Sequence, residues 1–76
     1  MQMAHERISQ NPKVMMGKPV IRGTRITVEI ILRLLGQGWS MEALLDAYPG
    51  LTREDVLAAQ AFAADSLESL RTVAAE

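Results

Sequence analysis

The sequence predicts a mainly α protein, a trihelical helix-turn-helix core carrying a short N-terminal β-hairpin and assembled as a dimer. Three observations carry that expectation. One pattern of helix-start chemistry recurs at 26–31, 39–44 and 51–56. Glycine or proline closes the first two of these segments within about ten residues, which keeps both helices short. A β-leaning stretch punctuated by glycine, 17–26, lies ahead of the second and third starts and runs into the first.

Residues 1–7 carry little pattern and read as a polar tail, followed by the strands of the hairpin over 8–22. Ile8 can begin a short strand, and Asn11-Pro12 reads as a turn because proline biases the preceding residue away from helix. The arms are then 13–16 and 19–22, joined by Gly17-Lys18 as a two-residue turn in which glycine supplies the positive φ. Pro19 opens the second arm, where a missing N–H does least harm at an edge. Gly23 marks a sharp bend between strand and helix. So small a hairpin must lie on the helices or pair with another chain.

Each helix start reads apolar, Ser/Thr, any residue, Glu, any residue, apolar, with Thr27, Ser40 and Thr52 as caps. The hydroxyl satisfies the first free amides, the glutamate opposes the positive helix end, and the flanking apolar pair closes a hydrophobic staple. At the third start Asp55 adds the reach-back acceptor of a capping box. The expected helices are 27–36, 40–48 and 52–72. The first leaves through Gly36 and Gly38, and Tyr48-Pro49-Gly50 stops the second. The third sets Val56, Leu57, Phe62, Leu67 and Leu70 among alanines that permit close approach of another helix. Ala59, Phe62, Ala63 and Leu67 are therefore the expected dimer or partner face.

With 76 residues the chain is one domain, 1–76, near the lower limit for a self-sufficient core. It has no cysteine for a staple, no cluster for a structural metal, and no cofactor motif. Apolar residues make up 49% of it, and that surface calls for a partner, most simply a homodimer. The net charge of −1 hides an asymmetry. Arg7, Lys13, Lys18, Arg22, Arg25 and Arg33 crowd the first half, whereas Arg53 and Arg71 alone face the acids of the second. Bulk charge does not announce nucleic-acid binding, and the two halves can attract one another across a dimer. No apolar run reaches the length of a membrane span, so a cytoplasmic location is the default expectation.

Catalysis has little support, because the lone His5 lies in the tail with no nucleophile at a recognisable spacing, and the chain is expected not to be an enzyme. Binding has more. Arg22 and Arg25 flank the glycine bend, with Lys18 and Thr24 beside them, a set suited to carboxylate or phosphate and equally to ion pairs within the chain. In a helix-turn-helix reading the third helix enters the DNA groove by its first turn, where Thr52 and Arg53 are the contact residues. Glu54 and Asp55 there repel phosphate, and the basic turn is better placed by sign. Trp39 and Tyr48 read as core.

Residues 17–26, with Gly38-Trp39-Ser40, Tyr48-Pro49-Gly50-Leu51-Thr52 and Val56-Leu57-Ala58-Ala59, resemble the small prokaryotic family called "domain of unknown function 433". The likeness runs from Ile8 to about Ala64. The resemblance implies a helix-turn-helix protein acting as an antitoxin partnered with a PIN-like nuclease toxin; the expectation is then a dimer that binds its own promoter DNA, with a protein-protein interaction module without DNA binding as the alternative. It also gives the basic turn a task, since Arg22 or Arg25 inserted among a nuclease's carboxylates would compete with metal and substrate phosphate. The chain lacks a long basic C-terminal arm, which leaves the toxin-binding segment open between the basic turn and the alanine-rich helix.

Overall fold

The computed structural model describes the backbone of residues 5–74 and the side chains of residues 5–70. The chain runs through β1 (Ile8–Ser9), a single 3-10 turn at Met15–Gly17, β2 (Val20–Ile21), α1 (Val28–Gly36), α2 (Met41–Ala47) and α3 (Arg53–Ala74). It is mainly helical, with one two-stranded antiparallel pair.

All three helix starts form as their chemistry dictates. Thr27 Oγ1 accepts the Ile30 amide at 3.0 Å, Ser40 Oγ accepts that of Ala43 at 3.0 Å, and Thr52 Oγ1 accepts that of Asp55 at 3.1 Å. Asp55 Oδ2 accepts the Thr52 amide in return, also at 3.1 Å, completing the capping box. The exit from α1 is a Schellman motif. Gly38, at φ +99°, lets its own N–H reach the Leu35 carbonyl and that of Trp39 reach Leu34. Gly36 stays inside the helix.

The strand pair keeps the expected second arm, with β2 inside 19–22, but takes a different first arm. β1 is Ile8–Ser9, in register Ile8 with Ile21 and Ser9 with Val20. Residues 13–16 are not a strand. Pro12 is the second residue of a turn closed by Val14 N–H on the Asn11 carbonyl, and Met15, Met16 and Gly17 then run at φ +49°, +58° and +85°. A left-handed run cannot present a ladder, so the connection between the strands is longer than two residues. Gly17 does take its positive φ. β2 is also held on its far side, by Ile21 N–H on the Ile26 carbonyl and Val28 N–H on that of Pro19.

The core lies where the three helices and the strands meet. Ile31, Leu44 and Val56 are wholly buried at its centre, with Ile8, Ile21, Leu34 and Leu51 around them. Tyr48 is half-buried against this cluster, whereas Trp39 stays 38% exposed after closing α1 and is not core. Ala58 and Ala59 are buried on α3, and among the described residues those of that helix inside the core come from its first half. At about 1.5 Å per residue its 22 residues extend about 33 Å, along a molecule 42 Å in its longest dimension.

Candidate partner-binding turn and helix face

The basic turn is built by its neighbours into a fixed shape. Gly23 takes φ +82° with open space where a Cβ would stand, which allows the chain to reverse between β2 and α1. Thr24 clamps that reversal: its hydroxyl donates to the Ile21 carbonyl at 2.8 Å and accepts the Ile26 amide at 2.9 Å. Arg22 turns back toward the N-terminal segment. Its Nε donates to the Glu6 carbonyl at 2.8 Å and its Nη2 to that of Ile8 at 3.2 Å. Lys18 Nζ pairs with Glu29 Oε1 at 3.2 Å. Of the four contact residues expected here, Lys18, Arg22 and Thr24 thus hold the fold. Arg25 is exposed and makes no side-chain hydrogen bond or ion pair among the described residues. It borders an open depression lined also by Ser9, Asn11, Val14 and Gly23.

Glu29 receives Arg33 as well, at 2.8 Å one helical turn on. Hydrogen bonding and charge from Lys18, and then from Arg33, hold its carboxyl below the ordinary 4.5.

Residues 5–7 of the expected tail are docked, and residues 1–4 lie outside the described residues. His5 Nε2 meets Asp65 Oδ2 at 2.8 Å, and its ring stands edge-on to Phe62 with centroids 5.2 Å apart. Its Nδ1 is buried without a hydrogen-bond partner among the described residues. Arg7 Nη1 reaches Asp55 Oδ1 at 3.1 Å. Asp65 and Asp55 thus tie α3 to the N-terminal segment, and Asp55 does more than cap. Neither pairing has a local sequence signal, because each spans most of the chain.

At the start of α3, Thr52 is occupied by its capping bond, while Arg53 and Glu54 are exposed side by side. Arg53 makes no ion pair or side-chain hydrogen bond among the described residues. On the expected partner face Ala59 is wholly buried in the chain's own core and closed to any partner, because α3 crosses the other helices at that point. Phe62 and Ala63 are half-buried and Leu67 is exposed. These three line an apolar groove with Pro19, Val28 and Leu32, which sequence periodicity along α3 could not reveal because its other wall comes from the first half of the chain. Among the described residues no helix is long and apolar enough to cross a membrane, and no group of three or more His, Asp or Glu is placed to hold a metal.

The family described as "Protein of unknown function (DUF433)" matches residues 8–63. A crystal structure of a DUF433 member protein from Anabaena variabilis superimposes with a TM-score of 0.79 at 36% identity, over 99% of this chain and 74% of that one. "Uncharacterized protein y4eO" from Sinorhizobium fredii is 35% identical over 92% of this chain. The chain spans 32% of the length of that relative. The match over residues 8–63, which takes in both strands, the basic turn and all of α1 and α2, makes this chain a member of the DUF433 family.

Proposed function

We propose that the chain is an antitoxin-like, non-catalytic protein of a type II toxin-antitoxin pair, neutralising a PIN-like nuclease and binding its own promoter DNA as a dimer. The reading is carried by Arg25, an unpaired guanidinium on a turn whose backbone is fixed on every side. A turn already fixed needs no backbone ordering on binding, and its free guanidinium offers a planar fork to a carboxylate. Placed among the metal-binding carboxylates of a nuclease, it competes with both the metal and the substrate phosphate. Arg53 at the exposed start of α3 serves the DNA side.

The test mixes the chain with the nuclease encoded beside its gene and follows RNA cleavage. Wild type inhibits, and Arg25→Ala of unchanged fold loses most of that inhibition. Equal inhibition by the two removes Arg25 from the contact. A second reading, a protein-binding module that never meets DNA, is favoured by Glu54, exposed next to Arg53 where phosphate would lie. Retention of promoter DNA over an unrelated duplex, weakening steeply with salt, decides for the first reading.

A further inference from the structure

We infer that the depression at the end of the strand pair receives one carboxylate side chain of a protein partner, held by Arg25, Asn11 and Ser9 together. Ser9 and Asn11 line it from the chain leaving β1, and Arg25 lines it from the turn after β2. Val14, Val20 and Gly23 help to enclose a hollow of about 600 Å³. All three polar side chains keep donors to spare. Arg25 makes no hydrogen bond or ion pair among the described residues, and the Ser9 hydroxyl makes none either. Asn11 Oδ1 accepts the Lys13 amide at 2.9 Å, which leaves the NH2 of the same carboxamide as its unengaged end.

No carboxylate lines this hollow. Four other depressions on the described residues each carry at least one, from Asp65, Asp55 or Glu29. The charge among the lining residues here is Arg25 alone, uncompensated, and it attracts an anion. The walls select the kind of anion. A nucleic-acid backbone is held by summing many cations, whereas one guanidinium with two neutral donors beside it matches the two oxygens of a single carboxylate. Val14 and Val20 add apolar surface for the methylene stem of a glutamate or aspartate, a need that a phosphodiester does not have. This role rests on the functional reading for the partner's identity, and it adds Ser9 and Asn11 to Arg25 as the residues that receive what the partner inserts.

The experiment titrates the full chain with butyrate, a carboxylate on a short apolar stem, and separately with dimethyl phosphate, at an ionic strength held constant with sodium chloride. Backbone and side-chain nitrogen NMR shifts are followed. Butyrate should give saturable shifts at Ser9, the Asn11 carboxamide and Arg25 Nε, with half-saturation at least about threefold below that of dimethyl phosphate. Ser9→Ala and Asn11→Ala should each weaken butyrate by about three- to tenfold, and Arg25→Ala should remove the saturable response. Asn11→Asp keeps the acceptor for the Lys13 amide, and with it the turn, but sets a negative charge in the hollow and should also abolish binding. The inference is overturned by butyrate that does not saturate, by tighter binding of dimethyl phosphate, by a response that survives Arg25→Ala, or by an affinity that both Ser9→Ala and Asn11→Ala leave unchanged. No nuclease takes part in this titration. A chain that binds butyrate at these residues yet does not inhibit the nuclease fails the functional reading alone, and inhibition without a butyrate response fails the carboxylate receptor alone.

Discussion

One oxygen of Asp55 accepts the Thr52 amide and the other accepts Arg7, so a single buried carboxylate both starts α3 and anchors the N-terminal segment to it. Asp55→Ala should cost about 2–3 kcal/mol, a lost cap plus a lost charge-assisted bond, measured by urea unfolding. A cost below about 1 kcal/mol would leave only the capping share. The two arginines of the basic turn separate by the same measurement. Arg22→Ala orphans the Glu6 and Ile8 carbonyls and should cost about 1–2 kcal/mol, whereas Arg25→Ala should stay within about 0.5 kcal/mol. Equal costs would contradict the division of labour between them.

Glu29 adds a pH dependence whose sign follows from its lowered folded-state value. Its contribution is complete above the ordinary carboxylate range and is lost as pH falls through that lowered value. Because all three side chains of the Lys18–Glu29–Arg33 cluster are exposed, salt weakens the effect. An NMR titration should show the Glu29 midpoint below that of an unfolded peptide and moving up in Lys18→Ala. A midpoint unmoved by that change would remove Lys18 as the main cause.

Among elements, the helices were legible because their signals are local. A cap, a first-turn glutamate and a terminating glycine or proline each act within one turn, and Thr27, Ser40 and Thr52 all bond as their positions require. The strand pair was legible in kind and in its second arm but not in its first, because pairing Ile8 with Ile21 depends on which distant segment meets β2. Nothing in Met15-Met16 announces a left-handed turn, a conformation that side chains disfavour. Met16, 91% exposed at φ +58°, should therefore be improved by glycine, with Met16→Gly neutral or stabilising by up to about 1 kcal/mol. Gly38 is the converse. It has open space but φ +99°, and Gly38→Ala should lower stability by about 1 kcal/mol in thermal unfolding. No change in midpoint would show that α1 can end without the Schellman geometry. The candidate site was half legible, since residue type marked the basic turn but only the fold shows that Arg25 alone of its contact residues is unengaged.

For the whole molecule, the basic first half and acidic second half are brought together within one chain by Arg7–Asp55 and His5–Asp65. Among the described residues, what those contacts leave over includes the unpaired Arg25 at one end of the strand pair and the exposed Leu67 and Leu70 on α3, two surfaces of different chemistry on a chain of 76 residues. In the proposed function the first of these surfaces meets a nuclease. The most direct test of the proposed function is calorimetric titration of the neighbouring gene's product, the proposed nuclease, with wild-type chain and with Arg25→Ala. The account predicts tight binding by wild type and a loss of about 2–4 kcal/mol in the variant, the range for breaking a desolvated charge pair. Wild-type affinity retained by a folded Arg25→Ala would contradict it.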